Sequence, residues 1–132
     1  MLPKFHVFHG VILALVSWYL FPNITLVSAF LLFFGSVFID FDHYIWYIFV
    51  KKDWNLNNAY YYLKDKSTEK KQLMLFHTIE FLIFTGLLCF IWIGFYYILI
   101  GMLYHSMLDI VDMRELRSRE FFLIRAIYKR LI

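Results

Sequence analysis

Charge is missing from most of this chain. Between Phe5 and Ile39 there is no Asp, Glu, Lys or Arg, and the same holds from Phe81 to Leu108. Cysteine occurs once in 132 residues and proline twice. The lone Cys89 excludes an internal disulfide, and in its apolar run it reads as an inert side chain. The shortage of charge excludes a soluble domain. Hydrophobic residues make up 62% of the chain and aromatic residues 23%, more apolar surface than a domain of this size can hide. A formal charge of +3 needs no nucleic acid to explain it, because lysines beside a membrane are drawn to anionic lipid.

What is present divides into blocks. A transmembrane helix needs about 20 mostly apolar residues, so each uncharged stretch, with its flanks, has room for two crossings. Phe21-Pro22-Asn23 breaks the first stretch, since proline cannot continue a helix interior. Gly94 breaks the second as a residue just past a helix C-terminus. These breaks predict a single all-α membrane domain over residues 1–132, with four transmembrane helices in two hairpins at about 5–21, 24–42, 73–93 and 95–112. Residues 51–72 form a juxtamembrane connection whose mixture of Lys with Trp54, Tyr60, Tyr61 and Tyr62 suits the headgroup layer. Ser67 or Thr68 can cap the third helix. The tail, 114–132, reads as an amphipathic surface helix.

The 13 Lys and Arg fall at Lys4, at 51–71 and at 114–130, and neither hairpin tip carries one. The positive-inside rule then places both termini and the long connection in the cytoplasm, for a multi-pass protein of the inner membrane. A cleaved signal peptide over 1–21 is disfavoured, because His6 and His9 occupy its basic region and no small-residue cleavage site follows. Gly35, Gly86 and Gly101 are read as close helix contacts in lipid.

The polar residues that remain carry the chemistry. In the four-helix layout His6 and His9 start the first helix, and Asp40, Asp42 and His43 end the second. His77 and Glu80 start the third, while His105, Asp109 and Asp112 end the fourth. All four groups therefore reach one face of the membrane. His6 with His9 and His77 with Glu80 are spaced i,i+3, and His105 with Asp109 is i,i+4, so each pair projects from one side of a helix. Asp42 and His43 cannot share a helical face, which predicts that the chain unwinds there. Carboxylates at helix C-termini oppose the macrodipole by roughly 0.3–1 kcal/mol each, and burial at a low-dielectric boundary costs more. A bound cation would offset both penalties. The expected metal ligands are His6, His9, Asp40, Asp42, His43, His77, His105 and Asp109. Glu80 is the expected general base and Asp112 its reserve; Glu115 reads as a surface charge.

The order H-x-x-x-G (His6 to Gly10), D-x-D-H (Asp40, Asp42, His43), His77 with Glu80, then H-x-x-x-D (His105 to Asp109) resembles the YdjM-like family of small inner-membrane metal-dependent hydrolases. The resemblance spans His6 to Asp112. It implies a membrane-embedded hydrolase with a metal centre, in the style of zinc-dependent phospholipases. The chain departs from the family's pattern at Ile39, where proline is frequent. It departs again at 71–76, which hold no second histidine and leave His9 as the substitute ligand.

A set of histidines and carboxylates suits Zn²⁺ first, as one ion or two, with Mn or Fe as alternatives. At the headgroup level the expected partner is membrane lipid, and the expected reaction is hydrolysis of a phosphoester or other ester. Self-association into a homo-oligomer is left open. Two rivals come from other classes. A transporter would place ionisable residues near the bilayer midplane, where this chain has none. A scaffold with a structural metal site would fit the same residues without catalysis.

Overall fold

The computed structural model describes residues 3–64 and 74–111, and among them every regular element is a helix. α1 (Pro3–Leu20) begins on a proline, which is tolerated there because a first-turn N–H has no intrahelical partner to lose. The chain reverses at Pro22-Asn23, and the Ile24 amide donates to the Phe21 carbonyl at 2.9 Å. Thr25 then caps α2 (Leu26–Phe38), its hydroxyl accepting from the Ser28 amide at 3.2 Å. The first predicted reversal stands where the proline put it.

The second helix does not end at residue 42, nor does the chain unwind there. Ile39 and Asp40 keep right-handed helical dihedrals, and α3 (Phe41–Lys51) follows at once. Only the pitch changes. The Asp40 amide donates to Val37 at 3.1 Å and the His43 amide to Asp40 at 3.2 Å, both i→i−3 bonds of a tightened, 3₁₀-like turn. Asp40 is thus the N-cap residue of α3, and Asp42 lies in its first turn. The macrodipole penalty expected for these two aspartates at a helix C-terminus does not apply, because the helical run passes through them to Lys51.

The described part of the connection after α3 carries a helix of its own. Lys52 closes α3 in the left-handed region (φ 52°), and α4 (Leu56–Lys64) packs back against α3. Asp53 organises this corner. Its carboxylate accepts from the Tyr47 hydroxyl at 2.6 Å, the Asn58 amide at 2.9 Å and the Asn55 backbone N–H at 2.9 Å. These bonds hold the Asp53 carboxyl below its ordinary value, the Tyr47 bond most strongly.

α5 (Ile79–Leu88) starts six residues later than the predicted 73. Its cap is Thr78, which accepts from the Phe81 amide at 3.3 Å and donates to the Leu75 carbonyl at 2.8 Å. The earlier cap candidates, Ser67 and Thr68, lie outside the described residues, as do Asp112, Glu115 and the predicted tail helix. Beyond Leu88, i→i−3 bonds at Cys89, Phe90 and Ile91 carry the chain towards α6 (Gly94–Val111). Cys89 is half-buried. Gly94 is not a left-handed cap, since no described glycine has positive φ. It is the first residue of α6, and the Trp92 ring packs where a Cβ would stand.

α2 and α6 form the most extensive helix contact, with α1 against α2 next. A Cβ on Gly35 would strike the Ile98 carbonyl, and one on Gly101 the Leu32 carbonyl and the Ser36 amide. Gly10 lies equally close to the Ser36 hydroxyl. Gly86 does not belong with them, because its nearest neighbour is Leu99 Cδ2 at 3.8 Å.

The distribution of polarity is inverted relative to a water-soluble core. His6, Ser36, Asp42, His77, Thr85, His105 and Asp109 are buried, while Phe90 is 90% exposed, Tyr19 86% and Phe49 76%. Two helical runs, Leu26–Lys51 (α2 with α3) and Gly94–Val111, are long and apolar enough to cross a membrane; α1 and α5 are apolar but shorter.

Candidate metal centre

The bundle brings together the start of α1, the α2–α3 junction, the turn before α5 and the last turns of α6. His105 on α6 is the hub. Its Nε2 lies 3.0 Å from Asp109 Oδ2 and 3.4 Å from Asp40 Oδ1. His6 Nε2 approaches the other oxygen of Asp109 at 3.3 Å, and the His6 ring stacks on His105 with centroids 4.0 Å apart. His77 Nε2 stands 3.8 Å from Asp109 Oδ2 and 3.9 Å from Asp40 Oδ1. His43 completes the edge, its Nε2 3.6 Å from Asp40 Oδ1.

Two of these rings are oriented by groups behind them. In a regular helix the Ser36 carbonyl would accept from the Asp40 amide, but the tightened turn sends that amide to Val37. The freed Ser36 carbonyl meets His105 Nδ1 at 2.7 Å. A carbonyl only accepts, so Nδ1 carries the proton and Nε2 presents its lone pair to the cluster. His77 is set the same way. Its Nδ1 lies 3.1 Å from Asp42 Oδ2, an oxygen that also accepts the Phe76 backbone N–H at 3.0 Å. That amide is available because Phe76 precedes the helix. A carboxylate or carbonyl behind a histidine is the usual outer support of a metal ligand.

Three overlapping groups can hold a metal ion: His6 with His105 and Asp109, Asp40 with His77 and His105, and Asp42 with His43 and His77. Their spacing agrees with coordination. Donors about 2.0–2.1 Å from a tetrahedral ion lie about 3.3–3.4 Å apart, and the donor separations run from 3.0 to 3.9 Å. Neither ring nitrogen of His6 has a hydrogen-bond partner, nor has Asp42 Oδ1, although all three atoms are buried. Burying such groups without compensation is costly, and Asp40, Asp42 and Asp109 concentrate negative charge in the same small volume. A divalent cation satisfies both conditions.

Of the predicted ligands, His6, Asp40, Asp42, His43, His77, His105 and Asp109 come together. His9 is outside all three groups; it lies one helical step from His6 on α1, half-buried with its ring edge-on to Phe8. Glu80 is also outside them, half-buried in the first turn of α5. Sequence reasoning passed over the Ser36 carbonyl and the Phe76 amide. No side-chain pattern announces a backbone group, and the only hint was a small polar residue at position 36 in an otherwise apolar run.

Accessibility is uneven. The side chains of His6, His77, His105, Asp42 and Asp109 are almost fully enclosed, whereas Asp40 is 14% exposed and His43 19%. Asp40 and His43 are set in the wall of a cavity of about 600 Å³ between α2, α3 and α4. The chain matches no protein-family profile, no curated protein and no solved structure.

Proposed function

We propose that the chain is a membrane-embedded, metal-dependent hydrolase that cleaves a phosphoester or other ester at the level of the lipid headgroups. The observation that carries the reading is the convergence of His6, His77, His105, Asp40 and Asp109 at coordination spacing. The exposed apolar surface and the two membrane-length helices support a bilayer as solvent. The placement of Lys and Arg supports cytoplasmic termini in an inner membrane. The motif order supports the YdjM-like resemblance.

In this reading His6, His105 and Asp109 hold a divalent ion, Zn²⁺ by preference. Asp40 and His77 extend the donor set towards a second ion, and Asp42 orients His77. A divalent ion supplies Lewis acidity, polarising an ester or phosphoryl oxygen and making water a stronger acid. The partly exposed residues meet the substrate. Asp40 uses one oxygen towards the histidines and has the other to take a proton from the attacking water, while His43 beside it gives one to the leaving oxygen.

Metal analysis of the purified protein tests the centre. Wild type is expected to carry close to stoichiometric metal, and His105→Ala and Asp109→Ala to lose it; equal metal content in all three would sink the site. Headgroup release from a lipid panel, with and without chelator, then tests catalysis. Bound metal with no chelator-sensitive release across the panel would return the scaffold reading.

A further inference from the structure

The partly open edge of the cluster does not face a polar cleft. Apart from Asp40, His43 and the phenols of Tyr44 and Tyr60, the cavity beside it is walled by Phe, Val, Leu and Ala side chains. Val37 and Phe38 come from the last turn of α2, Phe41 from the junction, and Leu56 and Leu63 from α4. Its volume of about 600 Å³ lies within the roughly 300–1,000 Å³ of small-molecule sites. A wall this apolar, with Asp40 and His43 only at its edge, does not suit a free sugar or an inorganic phosphate. Those ligands would leave the phenylalanines unused and lose their own hydration. The wall suits an amphiphile that presents hydrocarbon to the phenylalanines and one polar group to Asp40 and His43.

We propose that this groove is the acyl-chain site of the substrate. One hydrocarbon chain of a lipid lies between α2, α3 and α4, and its ester or phosphoester group is thereby brought to Asp40 and His43. The catalytic half of this statement rests on the hydrolase reading above, whereas the binding half does not. The α3–α4 hairpin gains a role from it. By folding α4 back on α3, the Asp53 corner supplies the wall that turns an exposed helix face into a groove.

The test uses the full chain in phosphatidylcholine nanodiscs doped with phosphatidic acid that carries a diazirine in one acyl chain. After irradiation, peptide mass spectrometry locates the label. Label is expected to concentrate on 33–44 and 56–63, and to fall about tenfold when unlabelled phosphatidic acid is added in excess. Label on Phe90 and Ile91, which are 90% and 78% exposed and line no part of the groove, is expected not to fall. Val37→Trp, and separately Leu63→Trp, should remove the groove label and leave the bulk label unchanged. Groove label no denser than that on Phe90 and Ile91, and insensitive to competitor, would overturn the proposal and show annular lipid only. His105→Ala is expected to keep the groove label. A chain that binds no metal but retains saturable labelling therefore removes the hydrolase reading alone, and metal with uniform labelling removes the groove alone.

Discussion

Asp42 illustrates how little separates a ligand from a support. It shares a motif with Asp40 and His43, and nothing in D-x-D-H distinguishes the first carboxylate from the second. In the folded chain Asp40 faces three histidine Nε2 atoms, whereas one oxygen of Asp42 is engaged by His77 Nδ1 and the Phe76 amide. Substitution should expose the difference. Asp42→Asn keeps the size of the side chain and weakens its hold on the His77 N–H. It is expected to lower metal affinity by about 10–100-fold, the usual cost of losing an outer-shell partner, with helix content by circular dichroism unchanged. Asp40→Asn is expected to cost more in turnover than Asp42→Asn at saturating metal. Equal loss of turnover in the two would contradict the division of roles.

The helices were legible in the sequence to different degrees. The long uncharged runs and Pro22 marked α1, the start of α2 and α6 closely, because in those segments the same residues decide solvation and helix length. The α2–α3 junction was invisible. Ile39 and Asp40 include no glycine or proline, and a change from i→i−4 to i→i−3 bonding leaves no trace in composition. Asp42-His43 followed by Lys51-Lys52 looked like a helix leaving the membrane, whereas the helix continues to Lys51. The start of α5 was misplaced because Thr78 caps it from within a stretch that reads as helix. Among the glycines, only contact geometry separates the essential from the incidental. Gly101→Ala drives a Cβ into the Leu32 carbonyl and the Ser36 amide, and overpacking of this kind costs about 1–3 kcal/mol. Gly86→Ala meets nothing closer than 3.8 Å and adds helix propensity worth up to about 1 kcal/mol. Thermal unfolding in detergent should show Tm lowered for the first and unchanged or raised for the second.

At the level of the whole molecule, the cluster ties together the start of α1, the α2–α3 junction, the turn before α5 and the last turns of α6. α2 and α6 pack extensively, and the turn carrying His77 meets Asp40 and Asp42 at the start of α3 and Asp109 on α6. A metal bound there would therefore stabilise the fold as well as the site. An ion present at 100 times its Kd contributes about 2.7 kcal/mol, so stripping it with chelator is expected to lower Tm measurably in wild type. No such shift is expected in His105→Ala. A chelator effect of equal size in both proteins would place the metal elsewhere.

The groove beside Asp40 opens among hydrocarbon-loving side chains, and this has a consequence for how rates should be measured. A substrate that reaches the centre sideways, through the plane of the membrane, is encountered in two dimensions. The relevant concentration is its mole fraction among the lipids, not its amount per litre. Mixed with an inert lipid at constant total substrate, it should be turned over more slowly as the surface is diluted. Enlarging the aqueous volume at constant composition should change nothing, and the product that keeps the acyl chains would stay in the layer from which the substrate came.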